Sequence, residues 1–505
     1  MNIAGQLERA AQRTPQKAAL RGADGDLAFR QLDERAAAVA ARLDALGQVK
    51  GDRIGVLAGS NTQFVAALYG IWKLGGIAVL LNPQLTHDDL ESQMRAVGAG
   101  ILITDDDPAR QLAGAQLVHS VGVRLLGQVD PAGSSFAAIT LAEDDLAVIA
   151  FTSGTTGAAK AAAHTHHAMR TQIEIVGVHF SASADDEILS LLPLYLFSIF
   201  LVGPMLAISR GATCRILPRY DAVDVAATFE RDRTTIAAAV PLLFYDLLSL
   251  AEEQGRTFDL TSLRVVTCGG APLSERVRNE FERQYGFRIV QLYGMTEGPG
   301  ILTSDPMHGD RKRGSVGKAL PHIRISIVDD AGPSLPQGEL GEVCASAVTT
   351  GPLAGRYRPM AGYWAMPHQS AEALKGGMFH TGDIGYLDDE GFLFLVDRKK
   401  DIIIRGGLNI YPREIELLIL TDPRVAECAV VGRPDARYGE VPVAYVQLRE
   451  GGSAFGDDLL QRTNDRLASS MRLDSVTVVK EFPRNSLGKI LRRELARSAT
   501  QGATS

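Results

Sequence analysis

Short apolar runs alternate with amphipathic stretches from near the start of the chain. Arg53 to Leu57 (RIGVL) reads as a strand. Residues 61–74 follow with Phe64, Leu68, Ile71 and Trp72 at helical spacing, ended by Gly75-Gly76. The run IAVLL, from Ile77, returns as a strand and completes a βαβ unit. The pattern recurs at Arg264 to Cys268 (RVVTC). There a Gly-Gly-Ala-Pro turn leads to a helix with Val277, Phe281 and Tyr285 in register, Gly286 stops it, and Arg288 to Leu292 (RIVQL) is the next strand. These units predict an α/β fold with largely parallel sheets. Beyond residue 315 the texture changes, and residues 323–345 and 379–404 read as short strands between Gly, Pro and Asp turns. Beyond residue 400 comes a smaller unit. It has a helix start (YPREIELLIL), two strands (ECAVVG and VPVAYVQL), a helix at 457–468 and a tail ending GKILRREL.

Leu189 to Ser209 carries no charge and is long enough to span a membrane. Pro193, Gly203 and Pro204 interrupt it and no basic flank accompanies it, so burial inside a globular domain is expected. With 505 residues the chain is too long for one core, and more than one domain is expected. Its net charge of -7 gives no reason to expect nucleic acid as a partner. Cys214, Cys268, Cys344 and Cys428 are far apart, which suggests neither a zinc site nor a disulfide framework. The first residues lack the apolar core of a signal peptide, and a cytoplasmic protein is the expectation.

The apolar strand Leu146 to Phe151 runs into Thr152-Ser153-Gly154-Thr155-Thr156-Gly157-Ala158-Ala159-Lys160, with a helix expected next. Hydroxyls, glycines and one lysine in so short a stretch suit a polyphosphate: backbone amides approach, hydroxyls donate, and the ammonium supplies charge. The glycine spacing does not fit a Walker loop, and Lys160 is followed by Ala161.

FTSGTTGAAK resembles the phosphate loop of the adenylate-forming superfamily, which includes acyl-CoA synthetases, peptide-synthetase adenylation domains and firefly luciferase. CGGAPLS (268–274), QLYGMTEG (291–298), GELGEV (338–343), FHTGDIGYLDDEG (379–391), VDRKKDIIIRGGLNIYPREIE (396–416) and PRNSLGKILRREL (483–495) match further motifs in the family's order. The pattern is most similar to carboxylate–CoA ligases. The resemblance implies an α/β fold with a large N-terminal domain (1–399) of mixed sheets, helices and a β-barrel-like part. A small mobile α+β domain (400–505) would follow.

For the site, the resemblance implies that Thr152, Ser153, Gly154, Thr155, Thr156, Gly157 and Lys160 hold ATP phosphates, and that Gly269, Gly270 and Ala271 form a flat surface against adenine. Tyr293 would stack on adenine beside Gly294 and Met295, Thr296 would contact the α-phosphate, and Glu297 would hold Mg²⁺. A helix N-cap is the structural alternative for Thr296 and Glu297. Asp383 would accept from the ribose hydroxyls, Arg398 would lie near ribose and phosphate, and Lys489 would neutralise charge during adenylation. Lys400 would be the hinge about which the small domain turns, exchanging Lys489 for Gly406-Gly407 beside a thiol tunnel. Arg437 and Tyr438 would meet the nucleotide end of CoA. Asp397 stands where the family usually has glycine, and Leu196 where many relatives have histidine.

Tyr195, Leu196, Phe197, Phe200, Leu201, Pro241, Leu242, Phe244 and Gly298, with Pro299 and Gly300, are candidate walls of an apolar acyl pocket. The uncharged run lacks the aspartate with which amino-acid-activating relatives hold an ammonium. His164, His166 and His167 do not match a metal-binding spacing and are expected in packing or at the surface. The expected cosubstrates are ATP with Mg²⁺, a small carboxylic acid and coenzyme A, acting on a monomer or homodimer. The alternative acceptor is the phosphopantetheine arm of a carrier protein.

Overall fold

A computed structural model describes residues 2–105, 107–121, 124–126, 135–152, 159–329, 332, 334–449, 456–484 and 490–501. The chain divides into two compact units. One comprises residues 1–325, 344–380 and 391–393, and the other residues 326–343, 381–390 and 394–505.

The first unit is layered α/β. A seven-stranded sheet runs in the order Gly362–Tyr363, Lys160–Thr165, Leu146–Thr152, Ile77–Leu80, Arg53–Leu57, Ile101–Thr104, Arg124–Leu126. A nine-stranded sheet runs from Lys318–Ala319 through Gly300–Ser304, Ile289–Met295, Val265–Cys268, Ile236–Ala239, Glu187–Ser190, Thr213–Ile216 and Ala18–Arg21 to Leu27–Ala28. Its centre is parallel and its two margins are antiparallel. The βαβ units read from the sequence are present, with the helix Thr62–Leu74 capped by the Asn61 side chain and ended by Gly75 at φ 79°. That helix is nearly all buried, and the Trp72 indole donates to the Ala147 carbonyl at 2.8 Å.

One local expectation fails, and the burial expected for the uncharged run holds. Lys160 opens a strand, Lys160–Thr165, not a helix, which begins only at His166. Alanine favours helix, but Ala161, Ala162 and Ala163 are small enough to pair against Leu146–Thr152 inside the sheet, and tertiary pairing wins. The uncharged run forms the end of a strand, the short helix Phe197–Phe200, a π-turn at Leu201–Met205 and the helix Leu206–Arg210. Among the described residues no helix is long and apolar enough to cross a membrane.

The strands Ile323–Val328, Gly341–Ala347, Phe379–Leu387 and Leu393–Arg398 make a four-stranded sheet. In the second unit, Leu408–Ile410, Ile403–Arg405, Gly439–Leu448, Val425–Asp435 and Ser475–Val478 form another sheet, packed on the helices Pro412–Ile419 and Gly456–Asn464 around Ile415, Ile419, Val430 and Leu459.

Candidate active site

The strands Leu146–Thr152 and Lys160–Thr165 are antiparallel neighbours, with Thr152 opposite Lys160. The hydroxyl-rich loop therefore connects two sheet strands. Ser153, Gly154, Thr155, Thr156 and Gly157 lie outside the described residues. Next to Lys160–Thr165 the chain adds Gly362–Tyr363, pairing Tyr363 with Ala162. That register places the Lys160 ammonium 4.8 Å from the centre of the Tyr363 ring, a cation–π contact. The Tyr363 hydroxyl donates to Glu297 Oε1 at 3.0 Å, and the Glu297 carbonyl accepts from Met360 N at 2.8 Å. Lys160, Tyr363 and Glu297 thus form one cluster from three distant segments. Sequence reasoning missed Tyr363, because a tyrosine in AGYW carries no spacing signal.

Tyr293, Gly294 and Met295 belong to the strand Ile289–Met295, which turns back as Gly300–Ser304. The N-cap reading of Thr296 and Glu297 is therefore wrong: they sit in a hairpin turn with no helix after it. The hairpin is close-packed, and a Cβ built on Gly294 would lie 1.7 Å from the Gly300 carbonyl oxygen. Gly294→Ala is expected to displace the turn carrying Thr296 and Glu297. It should abolish activity and cost about 3 kcal/mol of stability in urea unfolding. Wild-type activity in this variant would refute the packing argument. Gly269, Gly270 and Ala271 follow Val265–Cys268, whose parallel neighbour carries Tyr293, so these candidates meet at the carboxyl ends of adjacent strands. Gly270, at φ 78°, needs glycine's freedom there.

The candidate acyl walls divide in two. Tyr195, Leu196 and Pro241 are half-buried, and Leu242 is exposed. Phe197 is buried with its ring stacked on His164 (4.6 Å, 14°). Phe200 packs between Phe64 and Trp72, at 6.1 and 5.8 Å, and Phe244 meets Phe281 edge-on at 5.0 Å, so both belong to core packing. Gly298, Pro299 and Gly300 are buried, and a Cβ on Gly300 would come within 3.3 Å of Leu201.

Burial pushes His164 and His166 down to about 3 and His322 to about 4, with the chain's amino terminus aiding at His166 and Arg356 at His322. His167 is half-buried and bonds the Arg356 carbonyl through Nε2. Folded-state values below the ordinary 6.5 mean that the unfolded chain takes up protons first as pH falls. Stability is therefore expected to drop between about pH 6.5 and 4.5, by ~1.4 kcal/mol per pH unit for each of the three. Thermal melting across that range checks this, and a flat profile would contradict it.

In the second unit Asp383 is buried and pairs with the Arg398 guanidinium at 2.5 Å. Its turn is built by neighbours: Thr381 Oγ1 donates to the Val343 carbonyl and accepts from Asp383 N, while Gly382 N donates to Glu342 Oε1 at 3.1 Å. Lys399 pairs with the other Glu342 oxygen at 3.1 Å. Glu342, in GELGEV, was not singled out from the sequence, although its motif was. Asp397 accepts from its neighbour Arg398 N and from Arg413 N, each at 2.8 Å, and so serves the amino end of Pro412–Ile419, which a glycine cannot do. Burial raises its carboxyl above the ordinary range. Lys400 is exposed in the turn Lys399–Asp401.

Gly406 and Gly407, at φ 59° and 84°, form the two-residue turn between Ile403–Arg405 and Leu408–Ile410. Gly406 N donates to the Tyr438 carbonyl at 2.7 Å, so two candidate thiol segments far apart in sequence are adjacent. Arg405, unnoticed in the sequence, lies 4.9 Å from the Tyr438 ring centre and Arg437 lies 5.2 Å from it. Lys489 is outside the described residues. The chain after it is anchored: Arg492 grips the Glu416 carboxylate at 2.6 Å and donates to the Val430 carbonyl at 2.7 Å.

Comparison with known proteins agrees with this architecture. The profile of the AMP-binding enzyme family matches residues 7–363, and that of the AMP-binding enzyme C-terminal domain matches residues 414–489. A feruloyl-CoA synthase from Amycolatopsis sp. is 32% identical over 490 residues, covering 97% of each chain. Among solved structures, ATP-bound MatB from Rhodopseudomonas palustris aligns over 99% of each chain at 29% identity with a TM-score of 0.88. The o-succinylbenzoate CoA synthetase from Bacillus subtilis, solved with its acyl-adenylate intermediate, aligns over 97% of each chain at 30% identity with a TM-score of 0.84. The chain belongs to the AMP-binding enzyme family, the adenylate-forming enzymes.

Proposed function

We propose that this enzyme joins an apolar carboxylic acid, aromatic or aliphatic, to coenzyme A in two steps. A carboxylate cannot expel oxide, so the acid first attacks the α-phosphorus of ATP. That forms acyl-AMP and releases pyrophosphate. The CoA thiol then attacks the acyl carbon, the acyl–phosphate bond breaks, AMP leaves, and the thiol proton goes to solvent. The observation that supports this best is the Lys160–Tyr363–Glu297 cluster, which sets a cation and a carboxylate beside a loop suited to phosphate.

In this reading Lys160 and the loop hydroxyls take the phosphates, Thr296 contacts the α-phosphate, and Lys489 offsets charge on the reacting carboxylate. Tyr293 and residues 269–271 take adenine, and Asp383 takes the ribose hydroxyls. Arg398, already paired with Asp383, orients that carboxylate as an acceptor. Glu297 would hold Mg²⁺. One carboxylate fits an ion that completes its shell with phosphate and water, and its chemistry there is charge screening on the phosphates. Among the described residues no group of three or more His, Cys, Asp and Glu forms a fuller metal cage. Turning of the small domain at Lys400 then gives Gly406-Gly407 to the thiol, and Arg437 and Tyr438 take the nucleotide end of CoA.

Pyrophosphate release with ATP and Mg²⁺ across a panel of carboxylic acids tests the reading. Release that depends on aromatic or aliphatic acids supports it. Release with α-amino acids alone, or with no acid, overturns it.

A further inference from the structure

Along Lys160–Thr165 the side chains alternate. Ala161 and Ala163 enter the core with Leu57 and Ile149, so Lys160, Ala162 and His164 share the opposite face. Tyr363, paired with Ala162, stands on that face as well. His164 is fully buried there, between the Phe197 ring and the backbone of Thr296. It therefore sits where a proposed acyl wall meets the proposed α-phosphate contact. One ring nitrogen faces the Thr296 backbone, and neither makes a hydrogen bond of ordinary geometry among the described residues. The other buried histidines each have one: His166 Nδ1 accepts from Ile3 N at 3.3 Å, and His322 Nε2 meets Gln172 Oε1 at 3.1 Å. A buried polar ring without partners is costly, and leucine would fill the same space without that cost.

We propose that His164 is a specificity-determining residue of the acyl site, accepting a hydrogen bond from a hydroxyl group on the ring or chain of the acid. The inference rests on the ligase reading and narrows its substrate class. A neutral imidazole has one N–H and one lone pair. The nitrogen facing the Thr296 backbone, which favours a proton, suits the N–H. The other nitrogen is a lone pair in search of a donor. An ammonium donor would require an acid nearby, and the run 189–209 has none. A hydroxyl donates without charge. Phe197 stacks on the face of the ring while the lone pair lies in the ring plane, so the hydroxyl meets the edge of the imidazole and the stack is kept.

The test is kcat/KM for pyrophosphate release on matched acids that differ by one hydroxyl near the carboxylate, such as benzoate with 2-hydroxybenzoate, phenylacetate with 2-hydroxyphenylacetate, and octanoate with 3-hydroxyoctanoate. Wild type is expected to prefer the hydroxylated member of at least one pair by roughly 10- to 100-fold. His164→Leu is expected to erase that preference while retaining turnover of the plain acid, and to melt no lower than wild type, because an unpaired polar ring is gone. His164→Gln, which keeps an acceptor, should restore part of the preference. No preference in wild type, or an equal loss on both members in His164→Leu, would overturn the proposal. No release with any acid would overturn the ligase reading, and this inference with it.

Discussion

Glu297→Gln is expected to slow acid-dependent pyrophosphate release by on the order of 10²- to 10³-fold, with the fold intact. Glutamine keeps the size of the side chain and an oxygen that accepts from Tyr363, so the cluster geometry survives. What is lost is the negative charge, and with it the hold on a hard divalent cation. Raising Mg²⁺ should recover part of the rate, because weakened binding is partly offset by concentration. Tyr363→Phe separates the two contributions. It removes one hydrogen bond to a charged oxygen, and roughly a 10-fold loss is expected. If Glu297→Gln retained wild-type turnover at limiting Mg²⁺, the assigned role of Glu297 would be wrong.

Lys489→Ala should affect the two half-reactions differently. Acyl-AMP formation is expected to fall by roughly 10²- to 10³-fold, as for loss of one group that stabilises charge in the transition state. Transfer from supplied acyl-AMP to CoA should stay near the wild-type rate, since in the proposed cycle the lysine is withdrawn before the thiol arrives. Removal of everything after Lys400 should abolish adenylation for the same reason. Equal losses in both half-reactions would refute the division of labour. The ion pair of Arg492 with Glu416 makes the chain beyond the lysine a fixed attachment, so the substitution should not unfold the unit.

The parts of this molecule that were legible from its sequence are those whose signal is local. The strand at Arg53–Leu57 and the helix at Thr62–Leu74 were read to within a residue, because apolar periodicity and the glycine stop are local to the segment. Gly406 and Gly407 stood out in the sequence only through the resemblance, and the structure shows them as the left-handed residues of a turn. What escaped depends on contacts made at a distance. The alanine run 161–163 looks helical until a neighbouring strand takes its hydrogen bonds. The turn after Met295 resembles a cap until Gly294 is seen to abut the Gly300 carbonyl. Tyr363, Glu342 and Arg405 acquire meaning only from partners elsewhere in the chain: Glu297 for the first, Gly382 and Lys399 for the second, the Tyr438 ring for the third. His164 was visible only as one of three histidines with no metal spacing, and its burial between Phe197 and the Thr296 backbone could not be read from sequence.

The most direct test of the central claim is mass analysis of the products formed from ATP, Mg²⁺ and an accepted acid, with and without CoA. The account predicts acyl-AMP and pyrophosphate without CoA, and acyl-CoA, AMP and faster pyrophosphate release when CoA is added. Acyl-AMP that accumulates unchanged in the presence of CoA would contradict it and place the acyl acceptor elsewhere.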